Sequence, residues 1–169
     1  MNDEMLPIVN ENGDVIGSAL RSLCHDGKSM LLHPVVHLHI VNGSGKIMLQ
    51  KRASTKKIQP GKWDTCVGGH ISYGEDHAEA LRRETYEETG MHLYTCEHLT
   101  DYVFQSSLER ERISVNLLRV DDNFSLKVCN DEVDEVRFWS YEEINDSRNN
   151  ELFTPIFLLE YNTIVRESL

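Results

Sequence analysis

A helix with clearly marked ends constrains the fold of this chain more than any other sequence feature. It is predicted to begin at Asp76 and to end just before Gly90. Asp76 with Glu79 three residues later forms one candidate capping box, and Ser72 with Glu75 forms another just upstream. Gly90 suits the left-handed position that follows a helix. The segment between these ends is one of two long helices that the sequence predicts.

The predicted helix has a packing side and an acidic side. At about 100° per residue, its small and apolar residues fall on one side, at Ala78, Leu81, Thr85 and Thr89. Its carboxylates are expected on nearly the opposite side, at Glu84, Glu87 and Glu88. Like charges this close cost a helix roughly a few tenths of a kcal/mol per pair. A divalent cation removes that repulsion, and Mg²⁺ typically takes one or two carboxylates together with phosphate oxygens and water.

The spacing around these carboxylates is a recognisable motif. Gly69, five residues, Glu75, seven residues and then "RETYEETGM" resemble the Nudix box, GX5EX7REUXEEXGU, in which U is apolar. Seven specified residues, each about one in fifteen by composition, coincide by chance at about one in 10⁸ per start position. Thr85 departs from the pattern because it stands at an apolar position, although its methyl group can pack beside Leu81.

The resemblance extends over nearly the whole chain. Segments such as "LLHPVVHLHIVN", "KIMLQKRASTKKIQPGKWDTCVGGH" and "DEVDEVRFWSYEEI" are similar to the branch of Nudix hydrolases related to isopentenyl-diphosphate isomerase. This resemblance implies an α+β fold, an α/β/α sandwich with a central mixed β-sheet. It also implies Mg²⁺-dependent hydrolysis, with Mn²⁺ as a second option, of a diphosphate linkage in a nucleoside diphosphate joined to another moiety X.

The same resemblance assigns roles to individual residues. Metal ligands would be the carboxylates of Glu84, Glu87 and Glu88 and the carbonyl of Gly69. Glu87 or Glu88 would also be the catalytic base, and Arg83 would orient the glutamates. Glu75 and Gly90 would support the loop and the end of the helix.

Composition and charge limit the expected partners. The 169 residues suit one core, so we expect a single domain over 1–169, with a strand pair and lead-in over 1–30 and the box over 69–91. The net charge of −11 argues against nucleic-acid binding. No basic leader precedes an apolar run, and no stretch approaches the length of a membrane span. Four scattered cysteines favour reduced thiols, so we expect a cytoplasmic protein without a membrane partner.

Alternation and turn signals predict the remaining elements. These are a strand pair at Pro7–Ile16, strands at Val35–Val41, Ile47–Arg52, Ile113–Val120 and Val136–Trp139, and a helix at Leu152–Arg166. The strand at Ile113–Val120 alternates apolar and polar residues and is predicted to be half-buried. The C-terminal helix is apolar around much of its circumference, which predicts either burial or a homodimer contact.

Two other functions fit parts of the sequence. An isomerase of the related branch would use a cysteine just before the box, but an ungapped alignment places Gly68 there. Cys66 lies two residues away, with its Cα displaced by roughly 6.5 Å along an extended strand. A nucleotide-binding module without catalysis would be supported by loss of box glutamates, and all of them are present. Both functions remain alternatives to hydrolysis.

Several histidines are candidates for a second metal site. His25, His33 and His70 fall near the positions where the isomerase relatives bind a metal. Such a site would also need a carboxylate, for which Glu109 and Glu111 are the candidates. The alternative is that these histidines have no metal-binding role.

The segment "KRASTKKIQPGK" is basic in an otherwise acidic chain. Its Arg52 is suited to a bidentate contact with a phosphate group of a small nucleotide or other diphosphate substrate. A solvated loop is the alternative. Two further histidines, His37 and His39, alternate on one strand face and are interpreted as ordinary hydrogen-bonded or exposed side chains.

Overall fold

A mixed β-sheet with helices on both faces forms the described part of the chain, residues 3–127 and 131–169 of this computed structural model. Its strands are β1 (Met5–Val9), β2 (Val15–Leu20), β3 (Leu32–Asn42), β4 (Ile47–Arg52), β5 (Trp63–Thr65), β6 (Val67–His70), β7 (Glu97–Gln105), β8 (Arg110–Val120) and β9 (Val133–Trp139). Its α-helices are α1 (Arg21–Cys24), α2 (His77–Thr89), α3 (Tyr141–Asn145) and α4 (Pro155–Thr163), with 3₁₀ turns at Ser147–Leu152 and Val165–Ser168. The predicted α+β class with a mixed sheet is confirmed.

The long strand β3 organises the sheet because it has several partners. It runs parallel to β8 along its whole length. Its middle also pairs with antiparallel β6, and its end pairs with antiparallel β4. The β6 pairing places Gly68 opposite His37 and therefore brings the loop before α2 onto the centre of the sheet. Separately, β1 and β2 form a hairpin that realises the predicted strand pair.

Different helices cover the two faces of the sheet. The core beneath α2 includes Val36, Leu38, Ile40, Ala80 and Leu81. The core beneath α4 includes Val35, Ile113, Val115, Phe157 and Tyr161. The prediction that β8 is half-buried is wrong, because its polar residues Ser114 and Asn116 are also buried, at 5% and 1% exposure. The strand lies inside the sheet, and His77 at the start of α2 covers Ser114 with a 2.8 Å hydrogen bond.

The two long helices differ in how closely they match their predicted bounds. The first begins at His77 with Asp76 as its N-cap, as predicted. The second does not begin at Leu152: α4 starts at Pro155, because Thr154 caps its N-terminus and proline suits the first turn. It also ends at Thr163, before a 3₁₀ turn. Three strands, β5, β6 and β7, have no counterpart in the predicted elements.

None of the helices in the described residues is long and apolar enough to cross a membrane. Three cysteines are free thiols, Cys24, Cys66 and Cys96. The fourth, Cys129, lies outside the described residues.

Candidate active site

Two local features fix the ends of α2. The Asp76 side chain accepts a hydrogen bond from the Glu79 amide at 2.8 Å, and the Glu79 carboxylate accepts one from the Asp76 amide at 2.9 Å. At the other end Gly90 has φ 69°, and its amide donates to the Tyr86 carbonyl. The structure thus has the N-cap and the left-handed glycine at the predicted positions, and these fix both ends of the helix beside β6.

The packed side of α2 differs in one residue from the predicted one. Thr85 is fully buried and donates to the Leu81 carbonyl at 2.6 Å, so this departure from the motif leaves the packing intact. Ala78 was predicted on the packing side but is exposed, whereas Ala80 is buried. The packed side is therefore rotated toward the carboxylates relative to the prediction.

The three box glutamates do not share one solvent-facing ridge. The Glu87 side chain is 57% exposed, whereas that of Glu84 is only 14% exposed. Glu88 points toward the sheet: its carboxylate accepts from the Gly68 amide at 3.0 Å and from the Gln50 side chain at 3.4 Å. The prediction that all three lie opposite the packing side is wrong for Glu88, because seven residues after Leu81 is about two full turns.

Arg83 connects the glutamates to the loop before the helix. Its Nε and one terminal nitrogen donate to the two Glu75 oxygens, each at 2.8 Å. The other terminal nitrogen donates to Glu84 at 2.7 Å and to Glu87 at 3.3 Å. A further bond reaches the His70 carbonyl at 3.0 Å. These contacts fix the rotamers of Glu75 and Glu84, which is the geometry expected of a residue that orients the box.

Gly69 leaves no space for a side chain. A Cβ atom added there would overlap the carboxylate of Glu84. The β6 backbone and the Glu84 carboxylate therefore approach each other more closely than any other residue at this position would permit. The structure thus brings Gly69 next to Glu84, while the Gly68 amide binds Glu88, so backbone and carboxylates converge on one small region.

Burial makes this region unfavourable for negative charge. It raises the pKa of Glu88 to about 8, a rise that the Gly68 amide only partly offsets. Burial also raises the pKa of Glu84, although Arg83 works in the other direction. Glu75 differs, because its hydrogen bond to Arg83 lowers its pKa. Two acids with raised pKa beside a backbone strand form a site that a cation would stabilise.

A group of histidines, called the histidine cluster below, lies further along β6, at its His70 end. Each of its members offers one potential metal-binding atom, and these atoms all lie within 4.8 Å of one another. The members are His25, His33, His70 and Glu111. The Nε2 atoms of His70 and His25 are 3.2 Å apart, and His25 Nε2 is 3.1 Å from a Glu109 oxygen. The histidines predicted from the resemblance are thus brought together, with Glu111 in the group and Glu109 at its edge.

The tautomers of this cluster favour a cation. Nδ1 of His25 lies 2.8 Å from the Arg21 carbonyl, and Nδ1 of His33 lies 2.9 Å from the Leu31 carbonyl. A carbonyl only accepts, so each Nδ1 carries a proton, and Nε2 is the atom of each ring that could bind a cation. His33 Nε2 is buried without a hydrogen-bond partner in the described structure. Burial lowers the pKa of His33 to about 4, which keeps that ring neutral.

Arg52 is placed near the site but is not unpaired. One terminal nitrogen donates to Asp64 at 3.1 Å, and Nε donates to the Ile58 carbonyl at 3.2 Å. Asp64 is held in turn by the Thr154 hydroxyl at 2.7 Å. The side chain of Arg52 is 25% exposed, so part of it still faces solvent. Its predicted contact with substrate remains a prediction.

His37 and His39 have a common partner that the sequence did not reveal. Both are buried, and both rings contact the carboxylate of Glu160 on α4, more than a hundred residues away in sequence. Their interpretation as hydrogen-bonded side chains was right, but an acid at the centre of the pair was not foreseen. A search for a buried glutamate in an apolar helix, such as "PIFLLEYNT", would have pointed to it.

A cleft of about 890 Å³ lies beside the box rather than over its glutamates. The β1–β2 hairpin, the loop before α2 and strands β7 and β8 line it, through residues that include Tyr73, Glu75, Asp101 and Arg112. It therefore offers space for a small molecule that reaches the Glu75 end of the box.

Comparison with known proteins identifies the family. The family model described as the NUDIX domain matches residues 31–157. This span contains the whole Nudix box and every residue of the histidine cluster except His25. The chain belongs to the Nudix family. As a Nudix protein it is a hydrolase that acts on phosphoric anhydride bonds, and enzymes of this family generally use divalent metals.

Individual relatives of this Nudix protein fall into two groups. Isopentenyl-diphosphate Delta-isomerase of Corynebacterium glutamicum strain R is 28% identical over 153 residues, which cover 85% of this chain and 80% of that protein. Uncharacterized Nudix hydrolase YfcD of Escherichia coli K12 is 32% identical over 152 residues, which cover 90% and 81%. Among solved structures, DR0079 from Deinococcus radiodurans has a TM-score of 0.76 at 23% identity, covering 94% of this chain and 98% of that one. The last match shows the shared fold.

Proposed function

We propose that this Nudix protein is a Mg²⁺-dependent pyrophosphohydrolase that cleaves the diphosphate linkage of a nucleoside diphosphate joined to a moiety X. One observation carries the proposal: the half-buried Glu84 and the inward-facing Glu88, both with raised pKa, converge on the backbone of β6 at Gly68 and Gly69. Burying these carboxylates costs free energy, and a hard cation with oxygen ligands would offset that cost.

The donor set suits Mg²⁺, and Mn²⁺ has similar requirements. Carboxylate and carbonyl oxygens are the ligands that these ions prefer, and the proposed ligands are Glu84, Glu87, Glu88 and the Gly69 carbonyl. A bound cation would neutralise the diphosphate and make the attacking water more acidic. Arg83 holds Glu84 and Glu87 in fixed rotamers for this purpose.

Glu87 and Glu88 are both candidates for the general base. Glu87 is the more exposed of the two, so a water molecule can reach it directly. Glu88 is tied to the Gly68 amide and is better suited to binding the cation. Arg52, at the end of β4, is proposed to contact a phosphate oxygen with the part of its guanidinium that faces solvent.

The structure gives less support to the isomerase alternative. Cys66 is 1% exposed and lies in the core beneath α2, where burial raises the pKa of its thiol. Gly68, at the position of the isomerase cysteine, offers no acid or base. A binding module without catalysis is also less favoured, because the box glutamates and their organiser Arg83 are all in place.

A substrate screen tests the proposal. Purified protein with Mg²⁺ would be incubated with nucleoside di- and triphosphates, dinucleoside polyphosphates, ADP-ribose, NADH, coenzyme A and isopentenyl diphosphate, and the products identified by ³¹P NMR. We expect P–O–P cleavage of at least one of them, abolished by EDTA. Rearrangement of isopentenyl diphosphate without phosphate release would favour the isomerase. Binding of a nucleotide without turnover would favour the binding module.

A second proposal concerns the histidine cluster. We propose that His25, His33, His70 and Glu111 bind a transition-metal ion such as Zn²⁺ or Mn²⁺. It is supported by the orphaned Nε2 of His33 and by the close approach of the His25 and His70 Nε2 atoms, which lie 3.2 Å apart. Burial raises the pKa of Glu111 to about 7, and a cation would favour its ionised form.

Metal substitution tests this second site. Addition of Co²⁺ to the metal-free protein should give visible absorption bands at one equivalent per chain. His70→Asn should weaken this binding by about 100-fold or more. His98→Asn is the matched control, because His98 is a half-exposed histidine outside the cluster. Equal Co²⁺ affinity for His70→Asn and wild type would contradict the proposal.

Partners and location are proposed on similar grounds. The substrate is a small nucleotide or other diphosphate, and a polyanionic nucleic acid is disfavoured by the net charge of −11. The free thiols are compatible with a reducing cytoplasm. A homodimer remains a proposal, since packing of Phe157 and Tyr161 against the sheet already accounts for much of the apolar character of α4.

A further inference from the structure

His37 lies beside the part of β6 that approaches the box glutamates. On β3 it follows His33 by four residues and points to the same side of the strand, toward α4. Across the ladder it faces Gly68, whose amide binds Glu88, while His70 of the cluster is two residues further along β6. The His37 backbone is therefore level with the residue whose amide holds Glu88, while its ring lies on the α4 side of the sheet.

A buried acid fixes the orientation of the His37 ring. Nδ1 donates to one oxygen of Glu160 at 2.8 Å. Glu160 is completely buried, and it also accepts from His39 Nε2 at 2.6 Å and from the Tyr102 hydroxyl at 2.7 Å. Three donors to one carboxylate leave Glu160 little freedom to move. The ring of His37 is thus held in one plane, with Nδ1 toward α4.

The opposite edge of the ring is available to a ligand. Cδ2 and Nε2 of His37 lie 3.2 and 3.3 Å from the place where a Cβ of residue 68 would be, so glycine makes room for this edge. Across residues 3–127 and 131–169, no protein group hydrogen-bonds to His37 Nε2. The side chain keeps 10% exposure, whereas Glu160 has none. Nε2 therefore faces accessible space above Gly68.

The surroundings of His37 favour its charged form. Burial alone would disfavour a charge, but Glu160, with smaller contributions from Glu111 and Asp64, raises the pKa of His37 to about 9. A cationic donor matters near the box, because the box carboxylates repel an anionic substrate. Arg83 and Arg52 already bind carboxylates, whereas His37 retains Nε2–H for a ligand.

We propose that His37 is a substrate-binding residue, whose Nε2–H donates to a non-bridging oxygen of the diphosphate, and that Glu160 is its positioning residue. The inference rests on the proposed hydrolase function and extends it to a residue outside the box. The hydrogen bond would neutralise part of the diphosphate charge and fix the phosphate over Gly68.

The test uses a diphosphate that cannot be hydrolysed. Methylenediphosphonate would be titrated with Mg²⁺ into ¹⁵N-histidine-labelled protein, and binding followed by NMR. In the wild-type protein we expect the His37 Nε2 resonance to shift in parallel with binding. His37→Gln should weaken binding about tenfold or more, because a hydrogen bond to a charged group is lost. Glu160→Gln should weaken it less.

His39→Gln is the matched control. It alters the same buried network at Glu160, but His39 is fully buried, so a ligand cannot reach its ring. We expect its affinity to stay within twofold of wild type. Equal losses of affinity in His37→Gln and His39→Gln would overturn the proposal. An unshifted His37 resonance in the wild-type protein would also overturn it, and this result does not depend on whether His37→Gln folds.

Glu88→Gln separates this inference from the proposed function. Binding that requires Glu88 but not His37 would overturn the role of His37 alone. Absence of methylenediphosphonate binding to the wild-type protein in Mg²⁺ would overturn both.

Discussion

Glu88→Gln should lower kcat on the true substrate by about 10² to 10³-fold and should raise the melting temperature of the metal-free protein by a few degrees. Glutamine has the same shape and can still accept from the Gly68 amide. It removes the charge that a cation would use, and it removes the acid whose ionisation burial opposes. Activity and stability should therefore change in opposite directions.

The stability change has a defined pH dependence. The pKa of Glu88 in the folded protein is about 8, above its ordinary value of 4.5. Its contribution to folding is thus fully present below the ordinary value and is lost as the pH rises toward the folded value. Thermal unfolding in EDTA between about pH 5 and pH 8 should show wild type losing stability relative to Glu88→Gln.

Metal binding should reverse this loss and release a proton. A group with a pKa of about 8 is mostly protonated at neutral pH, so Mg²⁺ must displace close to one proton from Glu88. Calorimetry in buffers of different ionisation enthalpy measures that number. Glu87→Gln is the control, because the side chain of Glu87 is 57% exposed and its removal should leave the metal-free melting temperature nearly unchanged. A stability gain from Glu87→Gln as large as that from Glu88→Gln would contradict the explanation.

If Glu87→Gln and Glu88→Gln both retained full activity on the true substrate, the proposed mechanism would be wrong. Loss of activity in Glu87→Gln alone would identify Glu87 as the base. Loss of activity in both variants is expected if both carboxylates bind the cation.

Local sequence signals predicted the box and its helix well. The capping box at Asp76, the left-handed Gly90 and the spacing of Arg83 to its glutamates depend on neighbours within a few residues, so a single sequence reveals them. The depth of Glu88 was missed although it follows from helix geometry, since two turns separate it from Leu81. The strand β6 was missed because "VGGH" offers little strand propensity, and β3 supplies its pairing.

Contacts between distant segments could not be predicted in the same way. The carboxylate that orients His37 comes from α4, and Glu111 joins the histidine cluster because the parallel register places it opposite His33. The resemblance pointed to the three histidines, but it left Glu109 and Glu111 equivalent. Only the pairing of β3 with β8 distinguishes the two, because Glu111 lies opposite His33 in that ladder whereas Glu109 precedes the strand.

Gly69→Ala should lower kcat/KM by about 100-fold and weaken Mg²⁺ binding, whereas Gly68→Ala should affect substrate more than metal. A methyl group at residue 69 would overlap the Glu84 carboxylate and displace it from Arg83. At residue 68 it would instead meet the His37 ring at 3.2 to 3.3 Å, a tight contact that leaves Glu84 in place.

The two glycines form a matched pair because they are adjacent on β6 and their side-chain directions point to opposite faces of the sheet. Mg²⁺ affinity from calorimetry and KM from steady-state hydrolysis separate their effects. Unchanged Mg²⁺ affinity in Gly69→Ala would show that the position of Glu84 does not matter for the cation. Equal effects of both variants on Mg²⁺ affinity would mean that a general distortion of β6, rather than one displaced carboxylate, limits the site.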